Sequence, residues 1–226
     1  MGMFDAITVS ETVLKACPAL RLGLLGAEVQ IEASPEAFWQ ETESLLVEKA
    51  AWDNTLIHAL PPLNAARRAY KALGQDPSRY RLSAEALHRR LSKGQGLYRI
   101  NNCVDIINRV SLETGYSIGG YDLTKVLPPV HLERGQREMV YSALGRGLLN
   151  IEALPVLCDA LGPFGNPSSD SERTCIGPET QHLGLVFFDF GGQAELEPAL
   201  ALCARLLQTW AQAQNLQTRI EKPQLN

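Results

Sequence analysis

Asn101, Asp105 and Asn108 stand four and three residues apart, so a helix through them carries two carboxamides and a carboxylate on one face. Such a face can either fix nearby backbone or present hydrogen-bonding groups to a ligand. A second polar concentration, G-P-F-G-N-P-S-S-D-S-E-R-T, runs from Gly162 to Thr174 directly after the apolar stretch L-P-V-L-C-D-A-L. Gly162 and Gly165 would let a ligand approach backbone amides closely, while Pro163 and Pro167 stiffen the segment around Phe164. Amides presented in this way can hold a developing oxyanion. Asn166, Ser168 and Asp170 can equally serve their own backbone in local turns. Arg173 can pair with Asp159 or Asp170, or meet a phosphate or carboxylate. No histidine lies in sequence reach to activate a hydroxyl nucleophile, and there is no G-x-S-x-G elbow.

The elements that must position these groups follow from periodicity and capping. Ala6–Val9 and the alternating stretch between Ala19 and Glu32 predict strands, the second half-buried or a hairpin. Ser34-Pro35-Glu36 opens a helix expected to run to about Ala51, with Phe38, Leu45, Leu46 and Ala50 inward. Three further helices are expected: Asn64–Leu73 stopped by Gly74, one capped by Ser83 and ending at Gly94, and one opened by Asn101 or Asn102 and ended by Gly115. Gly119-Gly120 reads as a turn. From Val130 onward the pattern predicts strands at 131–133, Met139–Leu144, Leu154–Leu161 and Leu183–Phe190, then an amphipathic helix from Pro198 to Gln214. Helices in the middle and at the end, with strands elsewhere, predict an α+β fold over one domain spanning residues 1–226.

Bulk properties narrow the function classes. Of 226 residues, 45% are hydrophobic and 20% charged, which suits a globular chain. The N-terminal segment lacks the basic and apolar regions of a secretory signal, and no apolar run reaches membrane-span length, so a cytoplasmic location is expected. Cysteines 17, 103, 158, 175 and 203 and histidines 58, 88, 131 and 182 are too scattered for a disulfide framework or a metal motif. No cofactor, metal or membrane partner is expected. The net charge is −4, yet residues 67–99 hold nine basic residues against two acids, making that segment +7 and the remainder −11. Arg67, Arg68, Lys71, Arg89, Arg90 and Lys93 are its candidate contacts to a nucleic-acid backbone. Solvated helix faces would give the same pattern.

The stretch V-D-I-I-N-R-V-S-L-E-T-G-Y-S-I-G-G-Y-D, from Val104 to Asp122, resembles the B3/B4 domain of the phenylalanyl-tRNA synthetase beta chain, whose pattern is close to V-D-V-T-N-Y-V-x-L-E-x-G-Q-P-L-H-A-F-D. Val104, Asp105, Asn108, Val110, Leu112, Glu113, Gly115 and Asp122 match in register. The Y-K-A-L-G-Q-D-P-S-R-Y-R segment and the Gly162–Thr174 loop resemble stand-alone members of that family, and the likeness covers roughly residues 60–192. It implies an α+β fold with a barrel-like, mixed or antiparallel sheet and packed helices. It also implies an editing activity: hydrolysis of the ester that joins a wrong amino acid to tRNA. The pocket it implies comprises Asn102, Asp105, Asn108, Gly119, Gly120 and Asp122, with Gly162, Pro163, Phe164, Gly165, Asn166, Ser168, Asp170 and Arg173 from the loop. Two positions depart from the pattern, because the family histidine falls on Gly119 and a family glutamate on Val186. With both side chains missing, two readings stand: a module that binds aminoacyl-tRNA and hydrolyses it in trans, or a non-catalytic pocket for a free amino acid. A structural or interaction role is a third.

Overall fold

The computed structural model describes residues 6–191 and 196–223. In chain order its elements are β1 (Thr8–Val9), α1 (Glu11–Ala16), β2 (Arg21–Glu28), α2 (Glu36–Ala50), α3 (Asn54–Ala59), α4 (Pro61–Leu73), α5 (Ser83–Ser92) and α6 (Asn102–Thr114). There follow β3 (Ser117–Asp122), β4 (His131–Arg134), β5 (Val140–Ala143), β6 (Gly147–Asn150), β7 (Pro155–Asp159), β8 (Gly162–Asn166), β9 (Ser169–Asp170), β10 (His182–Asp189), α7 (Leu196–Trp210) and β11 (Gln214–Glu221). The class is α+β. One antiparallel sheet runs β11-β2-β10-β3, and a second, mixed sheet runs β1-β4-β7-β8-β9 with only the β1–β4 pair parallel. The β5–β6 hairpin is tied to the second sheet by a bridge between Ala143 and Ser171. Among the described residues the sheets do not close, so the barrel implied by the resemblance is corrected to two open sheets.

Strands β2, β10 and β3 of the four-stranded sheet are buried on both faces. Leu22, Leu24, Val186 and Phe188 face one core, shared with Leu132, Val156 and Phe164 of the second sheet and with α1 and α4. Leu25, Leu183, Leu185 and Phe187 face the other, against Ile106 and Val110 of α6 and Leu200, Cys203 and Leu207 of α7. This corrects the expected half-buried strand at 19–32: two-sided coverage is why β2 reads almost continuously apolar.

Helix ends follow elementary rules where a cap is present. Asn101 accepts from the Val104 N–H at 2.9 Å and opens α6, and Gly115 closes it at φ +80°, a conformation a side chain would strain. Ser34 and Ser83 do not cap. The Ser34 hydroxyl donates to Asp105, and α2 starts at Glu36 behind Pro35. On α2, Phe38, Trp39, Thr42 and Lys49 are buried, whereas Ala50 is exposed. Several elements depart from expectation. Gly119-Gly120 lies inside strand β3, α3 precedes α4 with its own Asp53 cap, and residues 214–221 form an edge strand where the helix was expected to end.

Candidate functional site

The N-terminal turn of α6 is built by the polar residues that the sequence singles out, and most of them are consumed there. The Asp105 carboxylate accepts from the Ile100 N–H at 2.9 Å and from the Ser34 hydroxyl at 2.7 Å. Burial raises its pKa, and these two bonds with the Arg99 charge offset part of that rise. Asn102 is 2% exposed; its carboxamide donates to the Gln30 carbonyl at 2.8 Å and accepts from the Cys103 N–H, stitching α6 to the end of β2. Asp122 caps the following turn through Thr124 and accepts from the Thr180 hydroxyl at 2.9 Å. None of these three faces open space. Asn108, one turn further along, is different. It is half-buried, its side chain makes no hydrogen bond to the described residues, and it lines a cleft of 810 Å³.

That cleft is walled by α5 and the segment after it, by α6, by the edge of β3, and by the β8–β9 and β5–β6 turns. Its inner wall is apolar, with Ile107, Ile118 and Ile176 around Gly120, and Leu87, Ile100, Val104 and Leu144 add apolar lining further out. A Cβ at Gly120 would stand 2.9 Å from both Ile107 Cδ1 and Ile176 Cδ1, so glycine keeps this part of the wall thin. Asp170 reaches the same wall from β9: one oxygen accepts from the Tyr121 hydroxyl at 2.7 Å and the other from the Gly120 N–H at 3.2 Å. Burial pushes the Asp170 carboxyl up to about 7, and the two hydrogen bonds only partly oppose that rise. A carboxyl raised toward neutrality in this way suits a general base.

The rim is cationic. Arg81, Arg89, Arg90 and Lys93 line it from the α5 side, and Arg146 from the β5–β6 turn. Glu85, 1% exposed, balances two of them: Arg89 donates to it at 2.8 Å and Arg81 lies at 3.8 Å, while Arg67 at 2.6 Å and His58 at 3.2 Å complete the cluster. Burial alone would raise the Glu85 carboxyl; the His58 and Arg67 hydrogen bonds and the nearby guanidinium charge outweigh it and hold the group low. Arg90 instead donates to the Gly96 and Gln95 carbonyls and stacks on Tyr98 at 3.7 Å, so its charge is not cancelled by an acid. Lys93 and Arg146 form no ion pair among the described residues. The 67–99 segment therefore splits. Arg89, Arg90 and Lys93 edge the cleft, Arg67 is spent on Glu85, and Arg68 and Lys71 sit on α4 away from it.

Much of the Gly162–Thr174 segment is strand rather than loop. Gly162–Asn166 is strand β8, lying between β7 and β9, so its backbone groups turn to neighbouring strands rather than to an oxyanion. Neither Gly162, Pro163, Phe164, Gly165 nor Asn166 lines the cleft. Asn166 accepts from the Ser168 N–H at 2.7 Å and donates to the Tyr141 hydroxyl, fixing the β8–β9 turn. Arg173 makes a two-pronged pair with Asp159, both contacts 2.9 Å. Ser168 and Asp170, past that turn, do reach the cleft, although the Ser168 hydroxyl also pairs with Tyr70 at 2.8 Å.

What the glycines approach so closely is Tyr121. A Cβ at Gly119 would stand 2.7 Å from Tyr121 Cζ, one at Gly165 would stand 2.8 Å from the same atom, and both would collide with its hydroxyl. The ring is fully buried, meets Phe164 edge-on at 5.0 Å, and donates a hydrogen bond from its hydroxyl to Asp170. Gly119 and Val186, the two positions noted above as departing from the pattern the sequence resembles, are cross-strand partners in the β3–β10 ladder. Gly119 leaves room for the Tyr121 ring, and Val186 is fully buried. Gly119→Ala is expected to cost about 1–3 kcal/mol by overpacking, and clearly less in a Tyr121→Leu background. A urea-denaturation double-mutant cycle measures that coupling, and additive effects would remove the slot as the reason for glycine.

Sequence reading missed Tyr121, Arg146 and Tyr98. The glycines flanking a tyrosine in G-G-Y-D offered a signal for the first, and nothing local marked the other two.

Comparison with known proteins bears on this architecture. The B3/4 domain family model matches residues 65–194, more than half of the chain and all of the segments that carry α5, α6, β3 and Asp170. A search of curated proteins gave no match. Among solved structures, an N-terminal fragment of the phenylalanyl-tRNA synthetase beta-subunit from Pyrococcus horikoshii aligns with 97% of this chain, at 14% identity and a TM-score of 0.46. The chain spans about half of that fragment, 52% of its length. On the family match, the chain belongs to the B3/4 domain family.

Proposed function

We propose that the chain binds the aminoacylated end of tRNA in the α5–α6 cleft and hydrolyses the ester when the amino acid is wrong for that tRNA. The observation that carries the reading is the pairing of an uncancelled cationic rim (Arg90, Lys93, Arg146) with an apolar interior where Asn108 and Asp170 offer polar atoms. Cations at a rim suit a phosphate backbone, and a half-apolar recess suits an amino-acid side chain. Membership of the B3/4 family supports the same substrate class.

In this reading Asp170 is the base. Its carboxylate takes a proton from a water as the water oxygen bonds to the ester carbonyl carbon. Collapse of the tetrahedral species breaks the bond to the ribose oxygen, and Asp170 returns the proton to that oxygen. The products are a free amino acid and a deacylated tRNA. The Tyr121 hydroxyl and the Gly120 N–H hold the carboxylate in place throughout.

The test is incubation with a panel of correctly charged, mischarged and D-aminoacyl-tRNAs. Deacylation of at least one mischarged species is expected, with tRNA affinity that falls as salt rises. The charge-reversal pair Arg90→Glu and Lys93→Glu is expected to weaken tRNA binding at least tenfold and to flatten its salt dependence. Absence of both deacylation and salt-sensitive binding would overturn the proposal. Thermal stabilisation by a free amino acid, with tRNA inert, would instead favour the non-catalytic pocket.

A further inference from the structure

We propose that His131, Glu133 and Cys158 form a zinc-binding site on the face of the β4–β7 ladder. His131 and Cys158 are direct cross-strand partners there, and antiparallel partners project to the same face. Glu133 stands two residues along β4 from His131 and so shares that face, while Leu132 between them points into the core. The register therefore delivers one nitrogen, one oxygen and one sulfur donor to a single spot, and their ligating atoms all lie within 4.8 Å of one another.

The spacings fit a tetrahedral ion. The His131 ring nitrogen lies 3.7 Å from one Glu133 oxygen, and the Cys158 sulfur lies 3.6 Å from the other. Bonds of about 2.3 Å to sulfur and about 2.0–2.1 Å to nitrogen or oxygen give ligand–ligand edges of roughly 3.3–3.6 Å, so small side-chain rotations close the cage. The donor set selects the metal. Thiolate beside imidazole and carboxylate suits zinc, whereas magnesium and calcium require oxygen alone. Three protein ligands leave a fourth position for water. His131 and Glu133 are only partly buried, which gives the ion a way in, and Cys158 forms the closed inner wall. Uptake expels the thiol proton and so tightens as pH rises. Ligands 25 residues apart in sequence resemble no zinc motif, and only the strand register joins them.

Cobalt(II) titration of the full chain after chelator treatment tests the site. One equivalent is expected to give the intense near-ultraviolet sulfur-to-cobalt charge-transfer band, and zinc is expected to abolish it by displacement. Cys158→Ser should remove the band, and Glu133→Gln and His131→Asn, at half-exposed positions, should each weaken uptake by about tenfold or more while leaving the fold intact by circular dichroism. Cys175→Ser is the control and should change nothing. No charge-transfer band in the wild type, or a band that survives Cys158→Ser or is unmoved by both Glu133→Gln and His131→Asn, would overturn the proposal. Deacylation is not the readout, so failure here leaves the cleft reading standing, and the reverse.

Discussion

Asp170→Asn is expected to slow single-turnover deacylation by about 10²–10⁴-fold and, at the same time, to make the protein more stable above pH 7. The two effects share one cause. The wild-type carboxyl is raised from its ordinary value of 3.8 to about 7, because burial makes ionising it costly and the bonds from Tyr121 and Gly120 recover only part of that cost. Its folded pKa lies above the unfolded one, so the native state holds the extra proton between about pH 4 and 7. Stability from this group is full below pH 4 and is lost as pH rises through 7. The shift of about three units corresponds to roughly 4 kcal/mol. Asparagine abolishes that cost but cannot accept from both Tyr121 and Gly120, which takes back about 1–2 kcal/mol. The net gain at pH 8 is therefore about 2 kcal/mol, and it should turn into a loss below pH 5. Urea midpoints of wild type and variant across pH 4–8 provide the check. A variant that is slower but destabilised at every pH would mean that Asp170 is a structural acceptor rather than a poised base.

The second large effect concerns His88, and it has the opposite sign. His88 is wholly buried, stacks on Trp52 with rings 5.4 Å apart and 5° from parallel, and neither ring nitrogen has a hydrogen-bond partner. Burial, with Lys49 nearby, lowers its pKa from 6.5 to about 4. The unfolded chain therefore binds more protons than the native state between pH 6.5 and 4, and stability is lost as pH falls through that range. The expected loss is about 3 kcal/mol. His88→Phe keeps the stacking and has no proton to take up, so the variant should resist acid across this window. Because the Asp170 and His88 slopes oppose each other between pH 4 and 6.5, wild-type stability should look nearly flat there. Each substitution should unmask the other's branch: Asp170→Asn an acid-labile protein, His88→Phe one that weakens as pH rises. If His88→Phe leaves the pH profile of the wild type unchanged, the buried ring is not the neutral group described here.

How much of this was legible beforehand depended on whether the signal was local. Asn101 and Gly115 bracket α6 because a cap and a left-handed glycine act within one turn of their own position. Leu183–Phe190 read as a strand because eight residues of apolar run need only a neighbour on each face. Residues 214–221 were hard to read as a strand, since only Leu216 and Ile220 are apolar in a mostly polar run and pairing with β2 fixes the rest. The candidate site divides in the same way. The polar face of α6 was visible, but spacing could not tell that Asp105 would be drawn to Ser34 and Ile100 while Asn108 remained open to the cleft. Glycines at 119 and 165 announced a close approach without saying what approaches; the answer was a side chain of the protein itself. Arg146 joins the rim from a hairpin turn, and no local pattern could have placed it there.

On the proposed function, the α5–α6 cleft reads the aminoacyl end of tRNA. Equilibrium binding of tRNAs carrying amide-linked, non-hydrolysable aminoacyl groups, compared with the same tRNAs uncharged, tests it most directly. At least one mismatched aminoacyl group is predicted to bind tenfold or more tighter than its uncharged tRNA, with the preference lost in Asn108→Leu and retained, at lower overall affinity, in Arg90→Glu. Equal affinity for charged and uncharged tRNA across the panel would contradict the claim.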